Sequence, residues 1–427
     1  MNPFLFSAAC RDMKRATDLT IWSAQKGRRA MDFDVPQAIA DLRLKVRAFM
    51  NEFVLPNERR IVEEDRQGKP DTLRRLQAEA KSAGLWVPHL PAAYGGLGLG
   101  IMGMCILFRE MGRSPVGAKV FNCDAPNQGN MDLLLRAASD SLRERYLGPL
   151  AAGEITSAFC MTEPAPGAGA DPSNLRTRAV KDGDEWVIDG HKWYSTGGRD
   201  AAFLILMART SDDPRNGATM FIVDRHAPGV EYVRDIPTMS EPVLDHREGE
   251  FRFHAVRVKE EAVVRAVGDG FRLAQERLVP ARLTHCMRWL GLADRTLELC
   301  KPYLVTRESF GKKLAQHQIM QQKIAHHALG IHAGNLMTFH CASMIEKGLD
   351  KEARPYSSMA KLHVARLLCN VLDDAIQMHG GLGYSDDMPF AAWYRHARSA
   401  RLADGPDEVH EVVIARDYLT RGIDLLV

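Results

Sequence analysis

The chain predicts a multidomain α+β fold, with helices first, a β domain in the middle and a helical bundle last. Three observations carry this reading. Apolar residues recur at helical spacing from Pro36 to about Ala152. The texture then changes, after Gly153, to short β-rich runs separated by turn residues. Beyond Gly270 the helical period returns in long segments. At 427 residues the chain is also too long for one ordinary core, so two or three domains are expected.

In the first part, Ile39, Leu42, Val46 and Phe49 lie at spacings of three and four, as do Leu73, Leu76 and Ala80, so each set makes one buried stripe. In the middle part, Arg176–Lys181 and Glu185–Ile188 flank Asp182-Gly183-Asp184, which reads as a hairpin turn. Phe203–Arg209, Thr219–Val223 and Glu250–Val258 follow as apolar or alternating strands. In the last part the repeats are Met287, Leu290, Ala293 and Leu297, then Met320, Ile324, Ala328 and Ile331, then Ala360, Val364, Leu367 and Val371. Long segments with short connections imply an antiparallel bundle. Pro302 is expected to kink or end the first bundle helix just before Arg307.

Bulk composition removes several function classes. With 45% hydrophobic and 26% charged residues and a formal charge of +2, there is no electrostatic case for a nucleic-acid or bilayer partner. The longest strongly apolar stretch, Ala201–Ala208, is far shorter than the roughly 20 residues of a membrane span. The eight cysteines, Cys10, Cys105, Cys123, Cys160, Cys286, Cys300, Cys341 and Cys369, form no close pair suited to zinc or redox chemistry, so buried thiols in a reducing compartment are expected. The first 30 residues carry six Arg or Lys against Asp12 and Asp18. They read as a start-site extension before Met31, with a targeting segment as the alternative; the expected location is accordingly cytoplasmic, or mitochondrial in the second case.

Gly98-Leu99-Gly100-Ile101-Met102-Gly103 matches GxGxxG, but the preceding Pro88-His89-Leu90-Pro91-Ala92-Ala93 is no strand, so a glycine-rich interhelical turn is expected rather than a dinucleotide fingerprint. Adjacent His326 and His327 face different directions on a helix and do not form a metal pair. No Walker lysine motif, GxSxG elbow or HExxH occurs.

The remaining motifs form an ordered set: Pro91-Ala92-Ala93-Tyr94-Gly95-Gly96-Leu97-Gly98, Phe159-Cys160-Met161-Thr162-Glu163-Pro164, Gly190-His191-Lys192-Trp193, Arg307-Glu308-Ser309-Phe310-Gly311-Lys312, and Arg401-Leu402-Ala403-Asp404-Gly405-Pro406-Asp407-Glu408-Val409-His410. Together they resemble the acyl-CoA dehydrogenase family over nearly everything from Phe33 onward. The resemblance implies an N-terminal all-helical domain (32–155), a middle β-barrel-like domain (156–264) and a C-terminal four-helix bundle (265–427), after an extension (1–31). It implies FAD as cofactor, an acyl-CoA substrate, an electron-transfer flavoprotein as partner and a homodimer or homotetramer.

Residue by residue, the resemblance places Phe159, Met161 and Thr162 at the polar edge of the flavin, where donors hold the negative charge of the reduced ring. Tyr194 stands where relatives carry an aromatic, often Trp, against the ring, and Thr196 follows. Ala170 falls where many relatives have a cofactor-bonding Ser, so a backbone amide would replace it. Arg307, Ser309 and Phe310, with Gln318, resemble an arm reaching the FAD of a neighbouring subunit, arginine suiting a pyrophosphate by its paired donors. Gln377, Gly380 and Gly381 resemble the second half of that site, although a helix C-cap also explains the glycines.

The implied reaction removes an α proton from the thioester while a hydride leaves the β carbon. The base is Asp404 where most members have Glu, and Arg282 orients its loop. Burial is expected to raise the carboxyl above about 3.9. Aspartate is one methylene shorter, and a misplacement of roughly 1 Å can cost about 100-fold in rate. Flavin nitroalkane oxidases of the same fold also use Asp, so a flavin oxidase or monooxygenase is the alternative, and a catalytically retired FAD-binding relative a second. Glu408 is a nearby candidate base expected to point elsewhere, Asp404 could instead be a helix N-terminal acid, and Ala281 occupies the bundle-helix position beside which some relatives carry their base. Ala403, where relatives often have a larger side chain, could widen the pocket.

Overall fold

The computed structural model describes residues 35–213, 216–241 and 247–422. The extension expected over residues 1–31 therefore lies outside the described residues. The chain divides into two units at Asp41/Leu42, and the features below belong to the second, apart from the first turn of α1.

The helical part holds α1 (Gln37–Phe49), α2 (Glu58–Arg66), α3 (Asp71–Ser82), α4 (Ile101–Met111) and α5 (Asn127–Ala137). Val46, Phe49, Leu76 and Ala80 are buried, as one apolar stripe per helix requires. The glycine-rich run before α4 is an interhelical turn. Glu346 fills the α4 N-terminus, its carboxylate accepting from the Met102 amide at 3.0 Å, where a dinucleotide phosphate would have to sit.

The middle part is one mixed seven-stranded sheet: β1 (Ser157–Cys160), β2 (Arg178–Asp182), β3 (Glu185–Thr196), β4 (Phe203–Arg209), β5 (Ala218–Asp224), β6 (Val230–Ile236) and β7 (Glu248–Lys259). The order is β1-β4-β2-β3-β7-β6, with β5 paired to β4. The β2–β3 hairpin closes with Asp182 opposite Glu185. Two features escaped the alternation pattern. Strand β3 runs on through the Gly190-His191-Lys192-Trp193 motif, with a register shift between Lys192 and Ser195. Strand β6 has no fully buried residue and is held by pairing with β7.

The last part contains α6 (Gly270–Thr306), α7 (Gln318–Glu346), α8 (Asp350–His379), α9 (Phe390–Ala397) and α10 (Asp407–Arg421). Helix α8 packs against α6, α7, α9 and α10, and Ala360, Val364, Leu367 and Val371 are buried as expected. Helix α6 passes through the buried Pro280 and ends at Thr306, just before Arg307 as expected, with the exposed Pro302 near its C-terminus. One expectation is corrected. On α7, Ala328 is exposed and the buried stripe is His327, Gly330, Ile331, Gly334, Thr338 and Cys341. Small residues there let α7 approach α8, where a β-carbon at Gly330 would meet Leu367 at 2.7 Å.

The helical part is locked to the bundle where α4 crosses α6. A β-carbon on Gly112 would lie 2.3 Å from the Arg288 backbone, and one on Gly291 would lie 2.1 Å from the Arg109 carbonyl. Both neighbours are backbone, so neither can swing aside. Gly291→Ala is therefore expected to cost about 1–3 kcal/mol of stability by overpacking, measured as a lowered denaturation midpoint; an unchanged midpoint would show that the crossing can relax.

Candidate active site

Strand β1 leads into Met161-Thr162-Glu163, and a buried ion pair fixes that segment. Lys192 of β3 is wholly buried and lies 2.9 Å from Glu163, itself almost wholly buried. The Lys192 ammonium also donates to the Met161 carbonyl at 2.9 Å. Glu163 accepts from the amides of Arg176 (2.7 Å), Thr177 (2.8 Å) and Ala168 (3.1 Å). Burial alone would raise the Glu163 carboxyl, but the Lys192 charge and the Thr177 hydrogen bonds bring it down to about 2. The Trp193 amide donates to the Thr162 carbonyl at 3.1 Å, tying the segment to β3 a second time.

Around this clamp lie the residues expected at a flavin ring. Tyr194 stands at the β3 register shift with φ of 49° and is 47% exposed. A non-glycine residue held in the left-handed region is strained, and such strain concentrates at functional positions. Its ring meets Trp193 edge-on at 5.1 Å. Phe159 is half-buried beneath the Arg277 guanidinium, 4.2 Å from the ring centre. Thr162 is half-buried, and Ala170 is exposed in the loop that follows. Thr196 is already engaged, its hydroxyl donating to Glu248 at 2.9 Å.

A second group sits at the ends of the bundle helices. Arg307 leads into a two-stranded hairpin, β8 (Glu308–Ser309) and β9 (Lys312–Lys313), with Phe310 and Gly311 at its tip. Both tip residues have positive φ, 51° and 77°, the geometry that suits a two-residue hairpin loop. Phe310 is 96% exposed, an apolar ring held in solvent. His317 anchors the arm through the Ser309 carbonyl at 3.1 Å. Gln318 begins α7 and is exposed; Gln377, Gly380 and Gly381 are exposed at the end of α8. Gly380 has φ of 58° and caps α8, so the capping explanation of this glycine holds.

The third group surrounds Asp404. The carboxylates of the C-terminal run are sorted by their surroundings. Asp407 is buried at the start of α10 and accepts from Arg401 at 2.7 Å and Arg366 at 2.9 Å. Glu408 faces solvent. Asp404 does neither. Its residue has φ of 54°, its carbonyl accepts from Arg282 Nε at 3.0 Å, and the next carbonyl, of Gly405, accepts from Lys361 Nζ at 2.6 Å. With both main-chain oxygens turned to cations, the side chain points towards His285, whose Nε2 lies 3.4 Å from Oδ2. That Oδ2 has no hydrogen-bond partner among the described residues. Ala281 lies one helical turn before His285 on α6, and Ala403 is exposed.

Contrary to the expectation from burial, the Asp404 carboxyl is held below the usual range. Burial pushes it up, but His285, Arg277, Arg282 and Lys361 outweigh that and stabilise the charged form. Burial lowers Lys361 to about 8 and His285 to about 4, so near neutral pH the imidazole is uncharged and the arginines and lysine supply the positive field.

Arg277, His285 and Lys361 were not singled out in the sequence. His285 was within reach, because it follows Ala281 by four residues and so shares its helix face. Arg277 precedes Ala281 by the same spacing. Lys361 carried no signal, since it sits on another helix among buried apolar residues.

A mixed-sheet domain between two helical domains, with an ionised carboxylate on a loop of the last, is the architecture of a flavin-dependent dehydrogenase fold. The acyl-CoA dehydrogenase N-terminal, middle and C-terminal domain models match residues 37–154, 158–256 and 268–419. Over 404 residues the chain is 37% identical to FadE2 of Mycobacterium tuberculosis, a probable acyl-CoA dehydrogenase, covering 92% of this chain and 98% of that one. It is likewise 37% identical to acyl-CoA dehydrogenase family member 11 of Gallus gallus over 87% of its own length, but spans only about half of that longer relative, 49%. A solved Mycobacterium abscessus structure, described as that of an acyl-CoA dehydrogenase, superposes with a TM-score of 0.86 at 37% identity, over 91% of this chain and all of that one. The chain belongs to the acyl-CoA dehydrogenase family.

Lys192→Met leaves the Glu163 carboxylate buried without its cation, which is expected to cost about 3–5 kcal/mol. Because the wild-type carboxyl is depressed in the folded state, its contribution is complete above about pH 4.3 and fades as pH falls towards 2. Denaturation at pH 7 should therefore show the full deficit, and denaturation near pH 4 a smaller one. A constant deficit at both pH values would mean that packing, not charge, holds the segment.

Proposed function

We propose that the protein is an FAD-dependent acyl-CoA dehydrogenase in which Asp404 removes the α proton of an acyl thioester. The observation that carries this reading is the Asp404 carboxylate: ionised by its cationic surroundings, one-fifth exposed, and with one oxygen unpartnered. A carboxylate consumed by structure would accept directly from cationic side chains, as Asp407 does from Arg401 and Arg366; one facing solvent, as Glu408 does, would lie outside a site.

The residues fit the cofactor in two places. Phe159, Met161, Thr162 and Tyr194 supply a clamped backbone edge and a half-exposed aromatic ring beside it, suited to the polar edge and face of an isoalloxazine. Arg307, Ser309, Phe310 and Gln318, with Gln377, Gly380 and Gly381, supply an exposed cation and closely approachable backbone suited to a pyrophosphate. When bound, FAD accepts the hydride from the β carbon. Thr196 fits less well, because Glu248 already takes its hydroxyl proton. Ala170 has only its backbone to offer.

The protein's own part in the reaction is then limited and specific. Asp404 takes the proton on the carboxylate oxygen that does not face His285. The Arg282 and Lys361 contacts keep the loop from recoiling as charge leaves the carboxylate. The Asp404 amide, with its carbonyl turned away to Arg282, is available as a donor to the thioester oxygen, where negative charge develops. The left-handed backbone at Asp404 re-aims its side chain, and this supports the reading that the shorter acid still reaches the substrate. The exposed Phe310 and Arg307 support a second subunit completing the distal site, in a homodimer or homotetramer. An electron-transfer flavoprotein is the proposed acceptor. Among the described residues no helix is long and apolar enough to cross a membrane.

Purified yellow enzyme mixed with a panel of acyl-CoA thioesters is expected to bleach rapidly and to reoxidise slowly in air. Fast reoxidation would instead identify an oxidase. Asp404→Asn is expected to slow flavin reduction at least about 1,000-fold with FAD retained; near-normal reduction would remove Asp404 from the role. Because its carboxyl is depressed, kcat/KM is expected to stay level as pH falls to about 5 and to decline only below about 4.

A further inference from the structure

We propose that His285 is a positioning residue for Asp404: a neutral imidazole whose Nε2–H orients the carboxylate and leaves its other oxygen to take the proton. The inference rests on the assignment of Asp404 as the base.

Three geometric facts converge on it. His285 Nε2 lies 3.4 Å from Asp404 Oδ2, an oxygen with no other partner. Arg288, one turn on along α6, brings Nη2 to 2.8 Å from His285 Nδ1 and 3.4 Å from Nε2. A guanidinium only donates, so at the short contact Nδ1 must be the bare acceptor and the ring proton must sit on Nε2, the nitrogen beside Asp404. Trp289 covers the ring, centroid to centroid 5.4 Å, and restricts its rotation. Arg288 is itself tied to the Cys123 carbonyl at 3.2 Å and to Asp124 at 3.5 Å.

The charged groups around the pair agree with a neutral ring. Burial opposes a charge on the ring, Arg288 and Arg277 add to that opposition, and Asp404 and Asp124 favour one. His410, packed beside Gly405, is also buried and depressed, to about 4. A 3.4 Å separation is longer than a formed hydrogen bond, and such contacts at catalytic groups shorten when substrate excludes water. Both side chains are one-fifth exposed, so substrate can close over both at once. An aspartate has one fewer rotatable bond than a glutamate; a single donor on one oxygen is enough to fix which lone pair faces the substrate.

The test compares His285→Phe, which keeps a ring but no donor, with His285→Gln, whose amide restores an N–H near the Nε2 position. Stopped-flow flavin reduction by acyl-CoA is followed from about pH 3.5 to 9, so that the acid limb is reached, with FAD content and melting temperature recorded for each variant. The Phe variant is expected to lose about 100-fold in the reduction rate and to show an acid limb displaced upward by about one pH unit; the Gln variant should recover most of both. In parallel, 15N-histidine NMR of the wild type, assigned by difference with the Gln variant, is expected to show His285 neutral and protonated at Nε2 at neutral pH. That readout stands even if the Phe variant does not fold. Wild-type rates in the Phe variant, equal impairment of both variants with an unmoved pH profile, or an imidazolium or Nδ1–H signal would each overturn the proposal while leaving Asp404 as the base, provided Asp404→Asn still abolishes reduction. Normal reduction in Asp404→Asn would overturn both.

Discussion

Two adjacent peptide carbonyls, those of Asp404 and Gly405, each accept a hydrogen bond from a largely buried cation, Arg282 on α6 and Lys361 on α8. The geometry of the site follows from this pair of contacts. A loop joining a short helical turn to α10 would ordinarily choose its own conformation. Here the bundle chooses for it, and the cost is a non-glycine residue in the left-handed region. Removing either cation would free the loop and also leave a buried carbonyl without a donor, so the two functions cannot be separated.

The same cations decide the electrostatics. Burial by itself disfavours a charged carboxylate, and an aspartate under an acyl chain would be expected to hold its proton. His285 when protonated, and Arg277, Arg282 and Lys361, reverse the sign. In the role proposed for Asp404 the result would be a base ready at neutral pH without prior deprotonation, but also a weaker one, since a depressed carboxyl has less affinity for a proton. Proton abstraction in that role would lean on stabilising the developing charge rather than on basic strength. Around Glu163 the logic is similar and the purpose different: there burial and the Lys192 charge oppose each other over a wholly enclosed pair that shapes the backbone and has no free oxygen to offer.

The three-part layout was legible because period 3.6 and period 2 are written into local apolar spacing. Val46, Phe49, Leu76 and the α8 stripe were found in that way, and so were β4 and the β2–β3 hairpin. Strand β6 was not, since none of its residues is fully buried and its place in the sheet depends on pairing with β7. On α7 the apolar spacing pointed to a stripe through Ala328, whereas close approach to α8 selected the glycine-bearing face.

At the site, residue type and order were enough to bring Asp404, Arg282, Phe159, Thr162 and Tyr194 to notice, since chemistry-bearing residues in ordered motifs are a local property of the chain. Which oxygen of Asp404 is free, whether its carboxyl is raised or lowered, and that His285, Arg277 and Lys361 stand around it were decided only by the tertiary structure. The physical reason is that Coulomb and hydrogen-bond terms depend on distances of a few ångströms between elements more than a hundred residues apart in α6 and the C-terminal loop, and forty apart between α8 and that loop. Sequence spacing encodes the faces of single elements, and only their packing determines which faces meet.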